Sequence, residues 1–265
     1  MTQALIVIPA RMGSTRFPNK PTCRILGYTM IERVYKIAKH VKNASKVIIA
    51  TDDELLANHV KAFGAEVVMT SSSCQTGTDR VADALHQLTE NYDIVFNLQG
   101  DAVLTPPHVI EKTLDAMLND SDIMMATPAV KLEGSALVEF IRKKREGSSS
   151  GTCVTFDKNG KALYFSKTLI PHHRDKLLPL EAYKLHQHIG LYAYKTNTLL
   201  QLTQLSQTPL EKIEQLEQLR ALENGIAIQV VLVNYEGRTH GSVDNPEDVA
   251  LVENIIQQEG ELVIQ

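Results

Sequence analysis

The chain has 265 residues, 43% of them hydrophobic and 22% charged, with a formal net charge of −4 at pH 7. That supplies a large core in one domain, or in a core domain with an elaboration, and the mild acidity argues against nucleic acid as a partner. Cys23, Cys74 and Cys153 are odd in number, far apart and without a C-x-x-C pair, so neither a disulfide framework nor a zinc site is indicated. No basic stretch precedes the first apolar run, and no run nears the roughly 18 apolar residues of a membrane span. The expectation is a soluble cytoplasmic protein with no signal peptide and no membrane insertion.

In chain order, Leu5–Ile8 reads as a strand buried on both faces. Pro9 and Gly13 end it and open a loop that carries Arg11, Ser14, Thr15, Arg16 and Lys20. Met30–Val41 has apolar residues at helical spacing, Lys46–Thr51 is a strand, Asp53–Phe63 a helix and Glu66–Met69 a strand. Thr78–Leu88 reads as a helix, Ile94–Leu98 as a strand and Pro107–Leu118 as a helix. This alternation predicts an α/β fold with a mostly parallel, doubly wound sheet. Arg142–Arg145 and the following Glu146–Gly151 read as a charged, then flexible, solvated loop. Thr152–Asp157 and Ala162–Ser166 form a predicted β-hairpin around an Asn159-Gly160 turn. Ile189–Tyr194 is a strand, Pro209–Asn224 one long helix ending before Gly225, Ile228–Val233 a strand and Pro246–Gln258 the last helix.

Ligands in such sheets sit beyond the carboxyl ends of the strands, where Arg11, Asp52 and Asp101 fall. The first loop suits a polyphosphate. Small residues let backbone N–H groups approach the oxygens, and the cations neutralise them. Its spacing is not the G-x-x-x-x-G-K-S/T phosphate loop, so an ordinary ATPase is not implied. Asp101, after Gly100 at the tip of an apolar run, can approach a metal–phosphate complex, and Mg²⁺ takes one or two protein carboxylates plus phosphate oxygens. Asp244 is a second candidate metal ligand. Read alone, it is a helix cap ahead of Pro246.

Together these motifs resemble one family. R-x-x-S-T-R-x-P-x-K-P from Arg11, T-D-D from Thr51, T-G-T-D-R from Thr76, N-x-Q-G-D from Asn97 and V-D-x-P-E-D from Val243 are similar to those of 3-deoxy-manno-octulosonate cytidylyltransferases, the CMP-Kdo synthetases. Ala162-Leu-Tyr-Phe-Ser166, His188-Ile-Gly-Leu-Tyr-Ala-Tyr194 and Pro209–Arg220 extend the match over almost the whole chain. The resemblance implies a nucleotidyltransferase-type fold, CTP and an eight-carbon sugar acid as substrates, and CMP-sugar and pyrophosphate as products. It implies that Ala10, Arg11, Ser14 and Lys20 hold the nucleotide's phosphate side and that Thr78 and Arg80 place the nucleotide. Gln99, Lys167, His188, Tyr192, Glu211 and Gln215 would face the sugar acid, and Asp101 with Asp244 would hold Mg²⁺. Lys20, Arg11 and Asp101 would carry the catalysis. It also implies a homodimer, formed through an insertion at about 150–195 that serves acceptor binding too.

The chain departs from the family pattern on the acceptor side. Asp101 is followed by Ala102-Val103 where Glu-Pro is common, and Tyr164-Phe-Ser166 by Lys167 where Arg is usual. Cys153 stands where a Lys is usual. A lysine lacks the planar fork that matches a carboxylate. These changes keep three alternatives in view: a different ulosonic or amino-substituted acid, a degenerate CTP-binding paralogue without turnover, or a nucleotide-sugar pyrophosphorylase using UTP or dTTP. The last is disfavoured by the missing G-x-G-T-R-type loop.

Overall fold

The computed structural model describes residues 2–13, 17–174, 179 and 184–263. The first half alternates strand and helix: β1 (Ala4–Pro9), a ribbon of β2 (Arg24–Ile25) and β3 (Tyr28–Thr29), α1 (Met30–Lys39), β4 (Lys46–Thr51), α2 (Glu54–Ala62), β5 (Val67–Met69), α3 (Gly77–His86), β6 (Ile94–Asn97) and α4 (Pro107–Asn119). The second half runs β7 (Met125–Lys131), α5 (Gly134–Arg145), β8 (Thr152–Phe156), β9 (Ala162–Ser166), β10 (His186–His188) and β11 (Tyr192–Lys195). It continues through α6 (Thr196–Gln204), α7 (Pro209–Glu214), α8 (Gln218–Glu223), β12 (Ile228–Val233) and α9 (Glu247–Glu259). No helix among the described residues is long and apolar enough to cross a membrane.

Among the described residues, ten strands form one sheet, in the order β5-β4-β1-β6-β11-β7-β10-β8-β9, with β12 also on β7. β5, β4, β1 and β6 are parallel, as is β12 to β7, while β11 runs antiparallel between β6 and β7. The expected doubly wound α/β architecture is therefore present. Along β1, Ile6 and Ile8 enter one apolar cluster with Val34 of α1, Leu56 of α2 and Ile110 of α4. Leu5 and Val7 enter the other with Val81 of α3, Leu199 of α6 and Leu219 of α8. The period-2 alternation of a strand thus sends successive side chains into two separate layers. The strand order turns at β1, with β4 on one side and β6 on the other, and that reversal leaves a crevice at the carboxyl ends of the two.

The second half corrects several expectations. Arg142–Arg145 is not a loop but the last turn of α5, and cations there suit a helix C-terminus. The segment 209–224 is not one helix. α7 ends at Gln215, which takes a left-handed φ of 54°, and α8 starts afresh at Gln218. Of the expected strand Ile189–Tyr194 only the end is strand, in β11; residues 189–191 form the break between β10 and β11. Opposite the split, β7 carries Pro128, which has no N–H for a ladder. Thr127 Oγ1 lies 2.7 Å from the Leu191 carbonyl and 2.9 Å from His188 Nε2, so its hydroxyl satisfies a carbonyl that the interrupted ladder leaves over. The β8–β9 hairpin is present, but its turn spans Asp157–Gly160, with Gly160 at φ 81° and the Asp157 carboxylate accepting from the amides of Asn159 and Lys161.

Candidate active site: two clefts that meet at Gln99 and Asp101

Three chain segments converge at the crevice. The loop after β1, the N-terminus of α3 and the loop after β6 pack closely together, most tightly at Gly100. A Cβ on Gly100 would lie 3.1 Å from the Pro9 carbonyl oxygen, and one on Gly77 would lie 3.4 Å from Pro9 Cγ and 3.5 Å from Gln99 Oε1. A capping box between Thr76 and Asp79 fixes the start of α3. That end of a helix favours negative charge.

The first cleft encloses about 300 Å³ and is lined by Ala10, Arg11, Lys20, Arg80, Gln99 and Asp101 among others. Lys20 Nζ donates to Asp101 Oδ2 at 2.5 Å. The pair therefore couples the basic loop to the carboxylate at the tip of β6. Arg80 is buried and held from two sides: Nη1 donates to Thr70 Oγ1 at 2.6 Å and pairs with Asp52 Oδ1 at 3.2 Å. A side chamber of about 240 Å³ continues from Arg11, Cys74 and Arg80 to Asp52. Ser14 lies outside the described residues. Thr78 does not line this cleft; it is buried one residue inside α3 and accepts from Asn97 Nδ2 at 3.4 Å. Asn97 Oδ1 in turn accepts from Gln99 Nε2 at 3.1 Å, so a buried amide connects α3 to the catalytic-side loop.

The second cleft is larger, about 880 Å³. Gln99 and Asp101 line it as well, with Ala102, His188, Tyr192 and Asp244. Burial drives the His188 ring down to about 3, so it is neutral at pH 7, and pushes the Tyr192 hydroxyl well up. Both therefore act here as neutral hydrogen-bonding groups. Asp244 sits in the turn before α9, where Asp248 Oδ2 accepts from the amides of Asp244 and Asn245 at 2.8 Å. Asp244 also lines the cleft.

Three expected sugar-side residues stand elsewhere. Glu211 is buried, and both its oxygens accept from Arg220, at 2.9 Å from Nε and 2.5 Å from Nη2. Burial raises the Glu211 carboxyl, but the Arg220 hydrogen bonds outweigh it and hold it below its usual range. Gln215 is exposed and donates from Nε2 to the Lys212 carbonyl at 2.7 Å. The Lys167 side chain lines neither cleft, while its amide donates to Glu214 Oε2 at 2.9 Å. Glu217 stands out in the sequence only as one of three acids, with Glu211 and Glu214, on the expected sugar-side helix. It is largely buried, hydrogen-bonds Thr78 and Thr76, and has its carboxyl raised by that burial. Nothing in the local sequence distinguishes it from Glu214, since its role depends on the break at Gln215.

A metal can be assessed from these donors. Among the described residues no group of three His, Cys, Asp or Glu side chains forms a metal cluster. Asp101 and Asp244 both line the larger cleft, and carboxylates are the protein donors that Mg²⁺ takes alongside phosphate oxygens. A cation-lined cleft opening into a larger one at a strand tip fits a nucleotidyltransferase.

The comparisons narrow that class. Residues 5–228 match the family described as cytidylyltransferase. A 3-deoxy-manno-octulosonate cytidylyltransferase from Maricaulis maris is 50% identical over 259 residues, 98% of this chain and 99% of the relative. One from Desulfatibacillum aliphaticivorans is 38% identical over 258 residues, 97% and 100% of the two chains. The structure of a CMP:2-keto-3-deoxy-manno-octonic acid synthetase complexed with CTP superposes with a TM-score of 0.86 at 34% identity, covering 97% of this chain and all of that one (100%). This chain belongs to the cytidylyltransferase family, among the 3-deoxy-manno-octulosonate cytidylyltransferases.

Proposed function

We propose that this enzyme transfers CMP from CTP to the anomeric hydroxyl of a 3-deoxy-octulosonic-type sugar acid, releasing pyrophosphate for surface glycan synthesis. The observation that carries this reading is that Gln99 and Asp101 line both clefts at once. A nucleotide in the first and an acceptor in the second would meet there. Arg11 and Lys20 face the phosphates, with Ala10 and Gly100 allowing close backbone approach. Arg80, braced by Thr70 and Asp52, fixes the nucleotide side, and Thr78 acts through its contact with Asn97. The acceptor oxygen forms a bond to the α-phosphorus as the bond to pyrophosphate breaks, and fixed cations stabilise the charge that develops. Asp101 and Asp244 would hold Mg²⁺, which supplies further charge neutralisation when bound. Gln99, His188 and Tyr192 present neutral polar groups to the sugar.

A related but different acceptor is favoured by one observation. Ala102 lines the acceptor cleft and Val103 packs in the core, 6% and 2% exposed, where a Glu-Pro pair would present a carboxylate. A panel of 3-deoxy-ulosonic acids, with and without amino substituents, tests both readings by ³¹P NMR of the CMP-sugar product. Absence of product from every acid would overturn them. The segment 150–195 would serve a homodimer in the cytoplasm. Of its apolar side chains, Phe165 is covered by the chain's own core, while Leu163 remains 64% exposed. Light scattering that gives the mass of a monomer at micromolar concentration would remove that assignment.

A further inference from the structure

The run Arg142–Arg145, read from the sequence as a solvated loop, has a different meaning as the last turn of α5. A helix sends consecutive side chains to different sides. Arg142 binds both oxygens of Glu139 at 2.8 Å and Glu146 at 2.6 Å. Lys144 turns inward, and its Nζ donates to the carbonyls of Gly151 at 2.6 Å and Lys167 at 2.5 Å. Lys143 lies on the wall of the acceptor cleft.

That position matters because of the cleft's charge. Among the described residues lining it, Lys143 alone carries a fixed positive charge, against Asp101, Glu139, Asp244 and Asp248. The two histidines do not help. Burial lowers His188 and His240, so both are neutral at pH 7. Lys167, at the family's usual arginine position, does not line the cleft. Lys143 pairs with Glu139 at 3.4 Å, and Glu139 also accepts from Arg142 at both oxygens. That pairing takes one of the ammonium's three N–H donors and leaves the others for a ligand. An anionic acceptor entering a cleft lined by four carboxylates needs a cation away from the phosphate side, and α5 supplies one.

We propose that Lys143 binds the carboxylate of the acceptor sugar acid and so selects for an acid. This rests on the functional reading above. The test is steady-state kinetics of the full-length enzyme, with CTP and Mg²⁺, on the acid the wild type uses best and on its carboxamide. Lys143→Gln should raise KM for the acid about tenfold or more, the range for losing one charge-assisted hydrogen bond. KM for CTP should stay within about twofold. Lys143→Arg should keep most of the affinity. The wild type should prefer acid to carboxamide, and Lys143→Gln should lose that preference. An unchanged KM for the acid, an equal loss on acid and carboxamide, or a matching rise in KM for CTP would each overturn the role of Lys143 while leaving the enzyme's function standing. A wild type that yields no CMP-sugar from any acid would instead overturn both.

Discussion

The acid at the tip of β6 serves two partners. Asp101 accepts from Lys20 at 2.5 Å and lines both clefts. Asp101→Asn keeps the shape and removes the charge, and should cut turnover by about two or more orders of magnitude while leaving the circular dichroism spectrum unchanged. Near-normal turnover would reduce Asp101 to a turn residue. His188 makes a second prediction, on stability. Its ring is held down to about 3 in the fold, against about 6.5 in an unfolded chain. Above the unfolded value both states are neutral and its contribution is complete. As pH falls towards the folded value the unfolded state gains the proton first, and stability drops by up to about 1.4 kcal/mol per pH unit. Urea titrations from pH 7 to 4 should show the wild type losing ground on His188→Gln; a gap independent of pH would contradict this. Arg11, Lys20, Gln99, Asp101 and Asp244 were legible in the sequence because each sits in a short motif. Glu211 was misplaced because a carboxylate in a motif does not disclose its partner, here Arg220 nine residues on in the next helix. Lys143 was hidden because a run of cations does not say which one faces a cleft.

At the level of elements, the first half could be read almost residue by residue. Each helix there has one apolar face and each strand one apolar run, so period and length agree. The second half breaks that agreement. β7 was missed because Pro128 argues against a central strand, yet the proline sits where β10 and β11 separate and no ladder bond is lost. The helix at 209–224 was overextended because its apolar spacing continues through Gln215, and only the backbone reveals the break. That break gives a test of sign. In a continuous helix Gln215→Gly would cost about 1 kcal/mol. At a left-handed φ of 54° it should instead be neutral or slightly stabilising, while Gln215→Val should destabilise by about 1–2 kcal/mol. Thermal denaturation of the two variants decides it, and a glycine variant that melts lower than wild type would favour the unbroken helix.

For the whole molecule, the parallel half builds the proposed nucleotide side and the mixed half most of the proposed acceptor side. Arg11, Lys20 and Arg80 come from loops and helices around β1, β4 and β6, whereas His188, Tyr192, Lys143 and Asp244 come from α5, the β10–β11 split and the approach to α9. This division explains why the nucleotide side was readable from motifs and the acceptor side only partly. Long-range pairing, not local pattern, positions the second set. Of the departures from the family pattern, Ala102 lines the larger cleft, whereas Lys167 lines neither. Fold alone leaves the acceptor open. The central claim is transfer from CTP to a sugar acid at the junction of the two clefts. Its most direct test is pyrophosphate release with Mg²⁺ and 3-deoxy-manno-octulosonate, comparing CTP, UTP, ATP and GTP. The account predicts release that depends on the sugar acid and is fastest with CTP. Release that ignores the acid, or that is as fast with ATP as with CTP, would contradict it.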